Sequence, residues 1–172
     1  MIDNKNILLG VSGGIACYKT LELCSRLVKK NVNIKVIMTE SAKEFVRPVT
    51  FETMAKGLVY SDMWEGHHEK VHHIELPKWA DLMLIAPASA STIGKMANGI
   101  ADNFLIASYL ACQKDVIIAP SMNTQMLLNP ATQRNLQTLR EYGVKVIAPE
   151  SGVLACNTVG DGRMEEPKNI VK

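Results

Sequence analysis

The sequence predicts an α/β fold: a Rossmann-like, doubly wound parallel sheet with helices on both faces, built as a single domain over residues 1–172. Three observations predict it. Apolar runs of strand length alternate with stretches of helical period, the pattern of successive βαβ units. Two of those runs, LMLIA at 82–86 and VIIA at 116–119, are apolar without a break, as strands covered on both faces should be. The chain has 172 residues, the size of one domain with one core.

The elements follow in order. Residues 7–11 (ILLGV) form a strand that stops at Ser12-Gly13-Gly14. A helix follows over 15–30, with Cys17, Leu21, Cys24 and Val28 on one face and Leu23 and Leu27 beside them. Lys29 and Lys30 suit its C-terminus, where cations meet the negative end of the dipole. Residues 33–38 (NIKVIM) make a second strand. Ser41-Ala42-Lys43-Glu44 has the form of a capping box opening a short helix. Another turn or two of helix is expected over 50–56, and a minor strand over 58–60. The stretch 73–81 runs into the strand at Leu82, with Trp79 in the core and Asp81 outside the strand. That strand ends at Pro87-Ala88-Ser89. Residues 100–111 are helical in pattern, and the strand 116–119 ends at Pro120-Ser121-Met122-Asn123. Asn129 and Pro130 supply an N-cap and a first-turn proline for a helix that Gly143 stops. Residues 145–147 are a last short strand. The tail from Ala148 carries Gly152, Gly160, Gly162 and Pro167, and reads as an ordered loop.

Composition narrows the function. Apolar residues make up 47% of the chain, which excludes a disordered segment. A net charge of +2 gives no footprint for a nucleic-acid backbone. No apolar run approaches the roughly 18 residues of a membrane span. The apolar stretch from Ile7 is cut by Gly10, Gly13 and Gly14, unlike a signal peptide. The expectation is a soluble cytoplasmic protein with neither nucleic acid nor membrane as partner. None of the four cysteines forms a C-x-x-C pair, so a structural zinc site is not expected. Cys17 and Cys24 should share one buried stripe.

Parallel α/β sheets bind ligands beyond the carboxyl ends of their strands. Four polar or glycine-rich segments lie at such ends: 12–14, 39–41, 88–91 and 121–123. They should converge. The Gly13-Gly14 turn opens a helix, and glycines there let backbone N–H groups approach a phosphate. Its spacing is not the G-x-G-x-x-G of a dinucleotide site. A mononucleotide phosphate and a plain tight turn both fit it, and Thr39 and Ser41 add hydroxyls nearby. All four histidines, His67, His68, His72 and His73, lie within 65–73. They suit a solvated polar loop, a single functional histidine, or a metal set, the last without a cysteine or aspartate beside it. Asn123 is a turn residue or a site amide on composition alone.

Four segments together resemble the flavin-dependent cysteine decarboxylases. They are Ser12-Gly13-Gly14-Ile15-Ala16, His73-Ile74-x-Leu76-x-x-Trp79-Ala80-Asp81, Pro120-x-Met122-Asn123-x-x-Met126, and Ala155-Cys156-x-x-x-Gly160-x-Gly162-Arg163-Met164-x-Glu166-Pro167. The stretch from Pro87-Ala88-Ser89-Ala90 to Asp102-Asn103 agrees as well. Two positions depart from the family pattern: Ser91 stands where asparagine is common, and Asn157 where glycine is common.

The resemblance implies an FMN enzyme, a carboxy-lyase that forms 4′-phosphopantetheine from 4′-phosphopantothenoylcysteine in coenzyme A biosynthesis. It implies oxidation of the carbon bearing sulfur, loss of CO2 to an enethiolate, then protonation and re-reduction. It assigns catalysis to His73, Asn123 and Cys156. The flavin falls to Gly13, Gly14, Ile15, Thr39, Ser41, Ala88, Ser89, Ser91 and Met122. The substrate falls to Asn123, Met126, Ala155, Arg163 and Met164, and residues 148–167 become a clamp over it. A homotrimer, or a larger assembly of trimers, is the implied partner state. Three other readings remain: a peptidyl-cysteine decarboxylase that stops at the enethiol, a non-enzymatic flavin-binding regulatory subunit, and an NAD-dependent dehydrogenase.

Overall fold

A computed structural model describes residues 3–64, 71–153 and 159–172. Six parallel strands form the central sheet: β1 (Asn6–Val11), β2 (Asn33–Met38), β3 (Val59–Tyr60), β4 (Leu82–Ala88), β5 (Asp115–Pro120) and β6 (Lys145–Val146). Their order is β3-β2-β1-β4-β5-β6. The chain winds outward from β1 in one direction and, after β3, outward from β4 in the other. The switch point, where such folds open a crevice, falls between β1 and β4.

Alternation along the strands builds two cores. Ile7, Leu9 and Val11 of β1 face one side with Val36, Leu84 and Ala119. Leu8 faces the other with Ile37, Met83, Ile85 and Ile118. Both faces are therefore apolar, which is why these strands read as unbroken runs. Helices α1 (Cys17–Val28), α3 (Pro48–Ala55) and α9 (Pro167–Ile170) cover the first face. Helices α4 (His72–Trp79), α5 (Ala90–Asn98), α6 (Phe104–Leu110) and α8 (Pro130–Glu141) cover the second. Two short helices, α2 (Glu40–Lys43) and α7 (Thr124–Leu128), follow β2 and β5 at the carboxyl edge. None of the described helices is long and apolar enough to cross a membrane.

Several expectations are corrected. The buried face of α1 runs through Cys17, Lys19, Thr20, Leu23, Cys24 and Leu27, while Leu21 and Val28 are only partly covered. The shared burial of Cys17 and Cys24 holds, and burial pushes the Cys24 thiol up to about 12. The cap of α2 is Thr39, whose hydroxyl accepts from the Ala42 amide at 3.3 Å. Ser41 lies inside the helix, with its hydroxyl 3.1 Å from that of Thr39.

The segment before Leu82 is helical, as α4, although Pro77 sits inside it. Proline costs one intrahelical hydrogen bond; buried contacts of Leu76 and Pro77 hold the helix against α6. Trp79 packs at the margin of the core, under the Lys35 ammonium at 4.4 Å. Helix α5 escaped the periodicity altogether. Gly99, at φ +66°, ends it in the left-handed region, and Asn103 caps α6 through Ile106 N. Residues 100–103 are thus a connection, where a continuous helix was expected. The tail is a hairpin, β7 (Glu150–Val153) against β8 (Val159–Arg163), followed by α9.

The ends of β1 and β4 are held together by Ser12. Its hydroxyl donates to the Pro87 carbonyl at 2.7 Å and accepts from the Ser89 amide at 2.8 Å. Ser12→Ala should leave the Ser89 amide without that acceptor. The expected cost is about 1–3 kcal/mol of stability, measurable by urea denaturation. A midpoint equal to wild type would show that the strand ends hold each other without the hydroxyl.

Candidate active site

The four strand-end segments do converge. Ser12 N donates to Pro87 O at 3.2 Å, Thr39 N to Val11 O at 3.0 Å, and Ser121 N to Ala88 O at 3.1 Å. Each bond ties the first residues past one strand to the end of its neighbour. Above them lies a cavity of about 570 Å³.

One wall is the entry to α1. Gly13, Gly14 and Ile15 line it, with Tyr18 and Lys19 further along. Gly13 has no room for a side chain, since a Cβ there would lie 2.5 Å from Ser41 Oγ and 2.6 Å from Ser41 Cβ. Thr39 and Ser41 therefore support the turn from beneath and do not line the cavity. A Cβ on Gly14 would meet nothing within 4 Å, so the backbone there is open to a ligand. The turn feeds a helix of 12 residues, whose N-terminal N–H groups and dipole favour an anion.

The floor comes from the ends of β4 and β5. Ser89, Ser121, Met122 and Asn123 line it. Ser89 also caps α5, accepting from Thr92 N at 3.2 Å. Ala88 is fully buried beneath, and Ser91 is exposed outside the lining. These two placements depart from the expected flavin contacts, because Ala88 still belongs to the strand and Ser91 has turned onto the outer side of α5. Asn123 caps α7, its Oδ1 accepting from Gln125 N at 2.8 Å and Met126 N at 3.4 Å. The cap fixes the side chain at the cavity edge. Asn123 is thus a turn residue that also lines the cavity.

The far wall is the hairpin, with Val153, Gly162, Arg163 and Met164. It is docked on the β5 loop: Met122 N donates to Gly162 O at 2.9 Å, and Thr124 Oγ1 donates to Asp161 O at 2.7 Å. Gly162 has φ +133°, and a Cβ there would run into the Met122 carbonyl. Only glycine permits so close an approach.

His73 is not at this cavity. It is the second residue of α4, half-buried, on the second face of the sheet. Beside it, the ring of His72 lies 5.4 Å from that of Tyr60, which stacks on Phe104. Cys156, Ala155, His67 and His68 lie outside the described residues. Among the described residues no group of three or more His, Cys, Asp or Glu is placed to hold a metal ion.

Sequence reasoning missed Lys19. It is 6% exposed, donates to Met164 O at 3.0 Å, and pairs with Glu166 at 2.5 Å. A lysine on the buried stripe of an amphipathic helix was the available signal. The bond from Lys19 holds the Glu166 carboxyl below its ordinary range. Nearby, partial burial and then repulsion from Glu165 raise Glu150, while the Asn169 amide bonded to Glu165 lowers that group.

The model of the flavoprotein family matches residues 1–172, and the chain belongs to that family. The coenzyme A biosynthesis bifunctional protein CoaBC of Bacillus subtilis is 50% identical over 173 residues, which cover 100% of this chain and 43% of that protein. The chain thus spans less than half of that relative's length. A structure of a cysteine-to-serine variant of PPC decarboxylase with pantothenoylaminoethenethiol superposes with a TM-score of 0.89 at 35% identity, covering 97% of this chain and 94% of that one. The FMN-dependent cysteine decarboxylase SpaF superposes at 0.88 with 29% identity, covering 99% and 95%.

The lowered Glu166 carboxyl sets an acid dependence. A depressed folded-state pKa contributes stability above the unfolded value, and this is lost as pH falls through the folded one. The Lys19–Glu166 pair should therefore weaken below about pH 4. In Glu166→Gln the melting temperature should fall less steeply over that acid range than in wild type. Parallel curves would show that the pair does not contribute.

Proposed function

We propose that the chain is an FMN-dependent decarboxylase acting on 4′-phosphopantothenoylcysteine to give 4′-phosphopantetheine. One observation carries the reading. A single cavity joins a glycine turn suited to a phosphate to the Asn123 amide and the Arg163 guanidinium. Its residues fit a flavin: the open backbone at Gly14 admits the phosphate, and Ile15 and Met122 offer apolar contact to a ring. One phosphate cradle favours FMN over FAD. The name of the Bacillus relative and the ligand of the superposed PPC decarboxylase support the substrate class.

When bound, the flavin supplies reversible two-electron oxidation. The residues position the substrate and move protons. Asn123 holds the substrate carboxylate through a neutral amide, so no added charge opposes CO2 loss. Arg163 meets the phosphate end of the substrate, and Met126 and Met164 contact its body. Cys156 donates the proton at carbon, because a thiol of reference pKa about 8.5 is mostly protonated at neutral pH.

His73 reaches a site through a second copy of the chain, where its imidazole orients the substrate and accepts the thiol proton. The cavity rim supports a homotrimer or an assembly of trimers. Ile15, Tyr18, Met126 and Val153 are 60%, 58%, 49% and 61% exposed at its mouth, an apolar rim that a neighbouring chain would cover. The likeness to the peptidyl-cysteine decarboxylase EpiD, which superposes with a TM-score of 0.83 at 25% identity, covering 98% of this chain and 96% of that one, favours a peptidyl-cysteine substrate as the second reading. The product separates the two, since that reaction would stop at the enethiol.

Mass spectrometry of the released cofactor should find FMN, and recovery of FAD or NAD would sink the assignment. Asn123→Asp retains a capping oxygen for α7 but puts an anion where the carboxylate sits. Like charges about 4 Å apart cost about 4 kcal/mol at an effective dielectric near 20, so kcat/KM should drop roughly a thousandfold. Activity within a few-fold of wild type would place Asn123 outside the site.

Cys156→Ser should release CO2 for about one turnover per flavin and hold an enethiol lighter than substrate by CO2 and two hydrogens. Repeated turnover to the saturated product, followed by mass under anaerobic conditions, would reject the thiol as donor.

A further inference from the structure

Lys19 is an expensive residue for its place. It lies on the core-facing side of α1 between Cys17 and Thr20, both fully buried. An ammonium withdrawn from water costs free energy unless it is paired and hydrogen-bonded. Both of its named partners come from one distant segment, the Met164 carbonyl and the Glu166 carboxylate. That segment leaves β8 and enters α9. It carries Arg163 and Met164, two residues of the cavity wall.

The return strand of the hairpin has named polar anchors on two sides. On one side, Gly162 and Asp161 bond to the 122–124 loop at 2.9 and 2.7 Å. On the other, Lys19 holds Met164 and Glu166. Arg163 stands between these anchors. Its Nη2 lies 3.5 Å from the same Glu166 carboxylate oxygen that Lys19 engages. Its side chain crosses the opposing strand at Gly152, where a Cβ would come within 2.6 Å of Nη1 and 3.0 Å of Cδ. Glu166 is thus the common partner of a buried cation and a cavity cation. Lys19 fixes the carboxylate, and the carboxylate with the bare Gly152 backbone fixes the guanidinium.

We propose that Lys19 is a positioning residue. Through Glu166 and the Met164 carbonyl it sets where the Arg163 guanidinium stands, and so sets the affinity of the cavity for the anionic end of its substrate. The inference rests on the reading of Arg163 as the phosphate partner. It requires no contact between Lys19 and substrate. Replacing Lys19 should therefore act selectively on substrates that carry the phosphate.

The experiment compares wild type with Lys19→Met as flavin-loaded full chains. The substrates are 4′-phosphopantothenoylcysteine and its unphosphorylated counterpart. Hydrogen exchange is read on a peptide covering 159–171. The expected result is a KM raised tenfold or more for the phosphorylated substrate and less than threefold for the other. Exchange should be at least tenfold faster across 162–166. Equal rises for both substrates, an unchanged KM, or unchanged exchange would overturn the proposal. If Lys19→Met does not fold, Glu166→Gln takes its place; it keeps an acceptor for Lys19 but not the charge, and the same selective rise in KM, of threefold or more, is expected. A wild type that turns over neither substrate would refute the proposed function. Exchange would then decide the Lys19 anchor alone, and unchanged exchange would overturn it.

Discussion

The structure depends on joining the carboxyl ends of β1 and β4. Everything at the site is referenced to that point, because the sheet reverses its winding there and the two strands diverge into helices on opposite faces. Ser12 makes the junction with one hydroxyl, which donates to one neighbour and accepts from another. Thr20 adds a bond from α1 to the Ala86 carbonyl at 2.9 Å, and the Cys17 thiol donates to Ser12 O at 3.2 Å. These groups are buried, so each polar atom has to find its partner inside the protein. Satisfying them leaves little freedom in where the glycine turn and Ser89 stand.

From that junction the cavity is assembled in layers. The turn at Gly13 rests on Ser41, and the β5 loop is tied to the end of β4 through Ser121. The hairpin is then laid across this frame. Its inner strand is bonded to the 122–124 loop and the residues just past that strand to Lys19, so the wall carrying Arg163 and Met164 comes from residues about 145 positions from α1 in the chain. A floor tied to the sheet thus meets a wall added by a two-stranded ribbon. The charges follow the same plan. Lys19 and Arg163 converge on Glu166, leaving a cavity edged by fixed cations.

The two aromatic and apolar regions have different characters. Tyr60, His72 and Phe104 form a contact cluster at the start of α4 and α6, with His73 adjoining it. Ile15, Tyr18, Met126 and Val153 surround the cavity with exposed apolar surface. The chain by itself therefore keeps His73 and Asn123 apart, although the motifs that carry them are equally legible. Elements close in sequence logic need not be close within one copy of a fold.

The strands of the central sheet were legible in the apolar pattern. β2 is found at its predicted bounds, and β1, β4 and β5 lie within one or two residues of theirs, because strands covered on both faces show as short apolar runs between turn residues. The N-cap at Asn129 and the stop at Gly143 were equally local and equally legible. The place of Gly13 and Asn123 at strand ends was legible too, and both line the cavity. Other features depend on contacts between distant residues. Pro77 hides α4, since its propensity penalty is local and the packing that offsets it is not. Gly99 ends α5, which the pattern did not reveal, and Asn103 starts α6 three residues after the expected helix start. Thr39, not Ser41, caps α2, and Ser41 packs beneath Gly13. Lys19 could be read only once Met164 and Glu166 were seen beside it. A charge in a buried stripe has no meaning until its partner is known, and here the partner lies at the other end of the chain.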